Sequence, residues 1–245
     1  MRTDRSILFV FAHPDDESYS VAGTIARYSR EEGTRVAVAT LTRGEASRHR
    51  SDLGVTPEEL GRRREAEVRE ALGHLGPVEH IQYGFPDGGL RHVDPRIVEA
   101  ELTDLVRRFR PTVVSTFDVH GISGHPDHNV TTACLTRVFV GERDRAGVPR
   151  RLAYVVVRPR DVEGWPRLLH STRDEEVDVA IDCADFLPER RAALYSHRSV
   201  LGDIERDDVG RRLERPVESF VLFQEPGTGP HDDLFAGLDS DRDAC

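Results

Sequence analysis

Two clusters of residues carry the chemistry that this sequence can do. The first is Ala12-His13-Pro14-Asp15-Asp16-Glu17, directly after the apolar run Ile7-Leu8-Phe9-Val10. His13 and Asp16 are an imidazole and a carboxylate three residues apart, a pair able to close on a divalent metal. Asp15, between them, must point elsewhere, so one acid can be a ligand and the other a base. The second cluster is His125-Pro126-Asp127-His128, which follows the apolar run Thr112 to Phe117 and the loop beginning at Asp118. Its two histidines stand three apart at a helix start, where side chains one turn apart share a face. If the two loops are neighbours, His13, Asp16 and one of these histidines surround a metal with two nitrogens and one oxygen. Such a set suits zinc and leaves a position for water. Zinc lowers the pKa of bound water to about 7, and Asp15 is the candidate base. A second, unligated histidine would hydrogen-bond the developing oxyanion and protonate a leaving amine. Asp127 would orient that imidazole and raise its pKa.

The elements that must position these residues are legible from the periodicity. Short apolar runs bounded by turn residues read as buried strands at 7–10, 35–41, 78–83, 112–117, 152–157, 177–182 and 218–224. Helical spacing reads over 18–32, 57–75, 95–109, 129–140 and 187–199. Thr56-Pro57-Glu58-Glu59 has the residues of a capped helix start, and Arg62-Arg63-Arg64 is expected on that helix's solvated face. Strands alternating with helices predict an α/β fold, a mostly parallel sheet with helices on both faces, in a single domain over 1–224. The acid-rich stretch 225–245 lacks apolar periodicity and is expected to be poorly ordered. In open sheets of this kind ligands bind at the carboxyl ends of the strands, where both clusters lie. Two further loop residues face the same edge: Arg43, suited to an anionic or hydroxyl-rich substrate, and Asp87, suited to a hydroxyl or amine.

Composition excludes several classes. With 44 acidic residues against 34 basic ones and a formal charge of -10, the chain has no footprint for phosphate backbones, so nucleic acid is not expected as a partner. Every basic residue is arginine, which removes lysine nucleophiles and Schiff bases. Cys134, Cys183 and Cys245 form no CxxC pair and no disulfide framework. No segment has the length of a membrane span, and the apolar run before His13 is too short for a signal peptide. A cytoplasmic setting is expected. No G-x-G-x-x-G follows the first strand, which argues against a dinucleotide site.

The paired motifs Ala12-His13-Pro14-Asp15-Asp16-Glu17 and His125-Pro126-Asp127-His128 resemble those of the PIG-L/LmbE-like family of zinc-dependent N-deacetylases. The likeness is strongest over 7–139 and extends more weakly to about 224. It implies a Rossmann-like fold and a Zn2+ cofactor, with His13, Asp16 and His128 as ligands and Asp15 as general base. It further implies His125 as the oxyanion-stabilising or acid histidine, with Asp127 as its partner. Thr42-Arg43-Gly44-Glu45 and Pro86-Asp87-Gly88 resemble the family's substrate-side loops. Leu194-Tyr195-Ser196-His197-Arg198-Ser199 resembles a further family segment, but Val200 stands where a glutamine is usual, so His197 is assigned no role. The expected reaction is removal of an N-acyl group, most simply acetyl, from an amino sugar or related small molecule. An amidase of thiol-pathway S-conjugates would use the same centre. A metal-binding or ligand-binding module without turnover would have no use for Asp15 and His125.

Overall fold

The computed structural model describes residues 5–146, 148–165, 169–206, 215–225, 227 and 229–238. Seven strands form one sheet: β1 (Arg5–Phe11), β2 (Thr34–Thr42), β3 (Val78–Phe85), β4 (Val113–Phe117), β5 (Arg151–Val156), β6 (Val179–Asp182) and β7 (Val217–Leu222). Their order is β3-β2-β1-β4-β5-β7-β6. The first five strands run parallel, and β7 is antiparallel to both β5 and β6. All seven runs read as strands from the sequence are strands, and the sheet is mostly parallel as expected.

Burial on both faces explains why the central run, β1, is continuously apolar, whereas the edge strand β3 is half-exposed and mixed. Along β1, Ile7, Phe9 and Phe11 enter one core, while Leu8 and Val10 enter the other. Period-two alternation thus feeds two layers. The first core takes apolar side chains of the helices Ala22–Ser29, Pro57–Leu75 and Leu187–Ser196; the second takes those of Pro95–Phe109 and Pro126–Ala146.

The order reverses between β1 and β4, which pair through Ile7–Val113, Leu8–Val114 and Phe9–Ser115. That reversal opens a crevice beyond the carboxyl ends of the two strands. The two histidine-bearing loops leave the sheet at this point.

Three expectations are corrected. The helix read as continuous over 18–32 breaks at Val21 into Asp16–Ser20 and Ala22–Ser29. The break exposes the N–H groups of Gly23 and Thr24, and the buried Glu218 carboxylate accepts both, at 3.0 and 2.7 Å. The helix read at 129–140 spans Pro126–Ala146, so Asp127 and His128 belong to its first turn. The stretch after Glu225 is packed over its described part: Leu234, Phe235 and Leu238 lie in the first core. Asp233 takes Arg5 at 3.0 Å and the Tyr28 hydroxyl at 2.8 Å, and Arg151 donates to the carbonyls of Leu234 and Ala236. Residues 239–245 lie outside the described part. Among the described residues, no helix is long and apolar enough to cross a membrane.

Candidate metal centre and active site

The turn after β1 is held by its neighbours before it does any chemistry. The Ala12 carbonyl accepts the Thr42 N–H and hydroxyl, both at 2.9 Å, which ties it to the end of β2. Asp15 then adopts φ 125°, ψ -24°, a conformation costly for a residue with a Cβ. Several contacts enforce it. The Asp15 N–H donates to Glu17 Oε2 at 3.1 Å, and its carbonyl accepts Ser18 N and Tyr19 N. Arg64 donates to the Pro14 carbonyl at 2.5 Å and to Asp15 Oδ2 at 2.9 Å.

The second loop is equally constrained. His128 Nδ1 donates to the Gly121 carbonyl at 2.9 Å, and the His128 ring stacks on Phe117 with centroids 4.1 Å apart. Gly121 has φ +65°, and a Cβ there would stand 2.6 Å from His128 Cβ, so backbone and imidazole approach only because no side chain intervenes.

These constraints bring donor atoms of three residues together. His13 Nδ1 lies 3.2 Å from His128 Nε2 and 3.6 Å from Asp16 Oδ2, and His128 Nε2 lies 3.3 Å from Asp16 Oδ1. Ligands at zinc distances of about 2.0–2.1 Å stand about 3.3–3.4 Å apart along the edges of a tetrahedron. The outer nitrogens decide what the inner ones can be. His128 Nδ1 spends its hydrogen on Gly121, and His13 Nε2 faces Asp87 Oδ1 at 3.1 Å and Asp127 Oδ2 at 3.3 Å. In the neutral rings both inner nitrogens therefore present lone pairs to each other, an arrangement that calls for a cation between them. The surrounding carboxylates favour positive charge at the same place, whether a proton on His13 or a metal ion. Burial alone would lower the His13 pKa, but hydrogen bonds to Asp127, Asp16 and Asp87 raise it well above the ordinary value. Burial alone would raise the Asp16 pKa, but His128 and His13 hold it well below the usual carboxylate range. Among the described residues, two groups bring one donor atom each within 4.8 Å of all the others: His13, His125 and His128, and separately His13, Asp87 and Asp127.

Asp15 lies beside this cluster, on the wall of a cavity of about 470 Å³ that His13, Asp16, Asp87, His125 and His128 also line. Burial pushes the Asp15 carboxyl up to about 6, with Arg64 opposing and Asp16 assisting. His125 is half-buried, its ring 4.6 Å from that of His13, centroid to centroid.

Four expectations change here. Asp127 does not orient the His125 ring through its carboxylate. That carboxylate, fully buried, accepts Gly88 N at 2.7 Å and Leu90 N at 3.1 Å and faces His13 Nε2. The Asp127 backbone N–H instead donates to His125 Nδ1 at 3.1 Å, and the pKa of His125 is lowered, by burial and by the nearby His13 and His128. Asp87 lines the cavity but is engaged, by His13 Nε2 and by the Ala46 N–H at 2.8 Å. Arg43 turns away from the cavity to Glu58 and Glu65, at 3.3 and 3.1 Å. Arg64, expected on a solvated face, is buried at the site. Its signal was available: it stands on the stripe of Leu60, Val68, Ala71 and Leu75, a charge at a core position. His197 is fully buried too, its Nε2 2.8 Å from Glu17 Oε1, behind the Asp15 turn.

Comparison with known proteins follows the same lines. Residues 8–139 match the family model described as PIG-L, GlcNAc-PI de-N-acetylase. The 1D-myo-inositol 2-acetamido-2-deoxy-alpha-D-glucopyranoside deacetylase of Saccharomonospora viridis is 34% identical, over 95% of this chain and 100% of its own length. The Saccharopolyspora erythraea deacetylase of the same name, numbered 2, is 31% identical over 95% of this chain and 100% of its own. Among solved structures, the N,N'-diacetylchitobiose deacetylase from Pyrococcus horikoshii superposes with a TM-score of 0.69 at 20% identity, over 98% of this chain and 89% of that one. At that identity the likeness speaks for the fold. With over half its length matched by one family and relatives above 30% identity along nearly all of it, the chain belongs to the PIG-L family.

Proposed function

We propose that this protein is a zinc-dependent N-deacetylase acting on an N-acetylated amino-sugar glycoside, the class of substrate in its relatives' names. The observation that carries the reading is the cluster of His13, Asp16 and His128, where the two imidazoles approach to 3.2 Å and each faces one Asp16 oxygen, at 3.6 and 3.3 Å, with Asp15 beside it on one cavity. Two imidazoles and a carboxylate suit zinc. His13, Asp16 and His128 would hold the ion; Asp16 completes the set because its carboxylate faces both imidazoles, whereas His125 has one ring nitrogen engaged by the Asp127 N–H. When bound, the ion supplies Lewis acidity, polarising the amide carbonyl and making water nucleophilic at neutral pH.

The chain's own groups do the rest. Asp15 accepts the proton of the attacking water as its oxygen bonds to the acetyl carbon. His125 Nδ1 is occupied by the Asp127 N–H, so in the neutral ring Nε2 carries the hydrogen. That hydrogen is a donor for the oxyanion, and it needs no protonated imidazole. The lowered pKa of His125 therefore suits a donor better than an acid. The proton taken by Asp15 passes to the amine nitrogen as the C–N bond breaks, leaving acetate and the free amino sugar. Arg64 keeps the Asp15 carboxylate in place throughout. Cys134 and Cys183, free and buried, are in keeping with a reducing, cytoplasmic setting.

The test is Asp15→Asn, which preserves the size of the side chain. Bound zinc, measured by metal analysis, should stay stoichiometric, while amine release from N-acetylglucosaminyl-inositol falls by about 10²–10⁴. Unchanged turnover would remove Asp15 from the reaction; loss of zinc would make it a ligand.

A further inference from the structure

The cavity that begins at His13 and His128 is also lined by Ile122, Val157, Val162, Trp165, Leu169 and Val200. All but Val200 are half-buried, so they leave hydrocarbon uncovered inside a pocket. Its volume, about 470 Å³, is in the range that encloses a drug-sized ligand and exceeds what a single pyranose needs. The wall is built. Trp165 Nε1 donates to the Asp161 carbonyl at 3.1 Å, so the one polar atom of the indole is satisfied and the rest is carbon. Trp165 packs with Tyr19 on the small core of Leu194, Val200 and Ile204. The His170 N–H donates to the Ile122 carbonyl at 2.7 Å, which joins the wall to the loop that carries His128. Polar groups line the same pocket: Arg48 and His49 share Asp203 at 2.5 and 2.7 Å, and Arg215, at the edge of the wall, holds the Asp161 carboxylate at 2.8 Å.

Resting on the N-deacetylase reading, we propose that the substrate carries an apolar or aromatic group that docks against the Val162, Trp165 and Leu169 wall. A hydroxyl-rich group there would exchange water for carbon and leave its hydroxyls unpaired, whereas an apolar group gains by the same exchange. The relatives' named substrate, a glucosaminyl-inositol, has no such group beyond its acetyl. The apolar group sits on the aglycone or on the acyl chain; both present the same chemistry to the wall.

Trp165 is the chain's only tryptophan, so intrinsic fluorescence reads this wall directly. The whole chain, loaded with zinc, is titrated with the methyl, phenyl and octyl glycosides of N-acetylglucosamine and with methyl N-octanoylglucosaminide. The phenyl and octyl glycosides, or the octanoyl compound, should bind at least about tenfold more tightly than the methyl N-acetyl glycoside, equivalent to about 1.4 kcal/mol. The arm that gains tells aglycone from acyl chain. Equal affinities across the panel would overturn the proposal, as would an indole response to the methyl glycoside as strong and as tight as to the phenyl one, which would mean stacking on the sugar ring. Leu169→Asn keeps the reporter and should bring the phenyl-to-methyl affinity ratio towards one; a folded variant retaining tenfold preference overturns the assignment. Amine release is followed in parallel. Tight binding without release would count against deacetylation and leave the apolar wall standing.

Discussion

Replacing Asp127 by asparagine separates two roles that the same carboxylate can be given. Its Oδ2 accepts from Gly88 N at 2.7 Å and faces His13 Nε2 at 3.3 Å, while Oδ1 accepts from Leu90 N at 3.1 Å. An amide offers one oxygen and one NH2, so whichever way the new side chain turns, its NH2 meets a donor and at least one buried N–H loses its acceptor. An unsatisfied buried group costs about 1–3 kcal/mol, which sets the expected loss in urea unfolding of the metal-stripped protein. The His13 imidazole also loses one of the two carboxylates that face its Nε2 and raise its basicity, Asp87 at 3.1 Å being the other. Losing such a partner costs a metal site about 10–100-fold in affinity, or about 1.4–2.7 kcal/mol. Competition with a chromophoric chelator measures that affinity in the folded variant. Zinc affinity within twofold of the parent, in a folded Asp127→Asn protein, would refute the assignment of this carboxylate to His13. A shift confined to the pH dependence of turnover would return it to His125.

Arg64→Met should destabilise the fold by about 3–5 kcal/mol in denaturant, because it strips the counter-charge from a buried carboxylate and unpairs the Pro14 and Gly44 carbonyls; a loss below about 1 kcal/mol, the range of exposed pairs, would place that arginine in solvent. Gly121→Ala should weaken zinc binding at least about tenfold by displacing His128, an effect in the range of outer-shell losses, whereas Gly141→Ala, which meets nothing within 4 Å, should leave it unchanged. Equal affinities for these two variants would dissociate the Gly121 approach from the metal site. Asp233 carries the acid sensitivity of the docked C-terminal segment: burial alone would raise its pKa, but Phe235 N–H, Tyr28 and Arg5 lower it below the ordinary value of 3.8. Its stabilisation is therefore present above that value and disappears as pH falls through the lower folded pKa. Asp233→Asn should flatten the acid limb of the stability profile, and an unaltered limb would detach this residue from the acid response.

The strands and the two motif loops were legible because their signals are local. Buried parallel strands need nothing beyond apolar runs and turn residues, and the motif loops show their donor types in adjacent positions. Partner choice was not legible, because it is made between residues far apart in the chain. Nothing around Asp127 indicates that its acceptors will serve Gly88, Leu90 and His13 rather than the histidine two residues away. Arg43 reads as a loop arginine at a sheet edge, yet the capped helix at Pro57 places Glu58 and Glu65 within its reach. The stretch after Glu225 failed for a related reason: its buried residues, Leu234, Phe235 and Leu238, obey no helical or strand period, since an irregular segment takes its pattern from the surface it covers.

The same distinction explains how a strained residue comes to stand at the centre of the site. A left-handed φ at Asp15 costs on the order of 1–3 kcal/mol and persists only where its surroundings over-determine it. Those surroundings come from four places in the chain. Glu17 accepts the Asp15 N–H from within the turn, and His197, fully buried, fixes Glu17 from the end of the Leu187–Ser196 helix. Arg64 grips the carboxylate and the preceding carbonyl from the Pro57–Leu75 helix, while Thr42 anchors Ala12 from β2. None of these groups belongs to the His13, Asp16 and His128 cluster, yet together they turn Asp15 aside from it while its neighbours His13 and Asp16 face inward. Two adjacent aspartates can do different work because distant residues hold one of them out of its relaxed conformation.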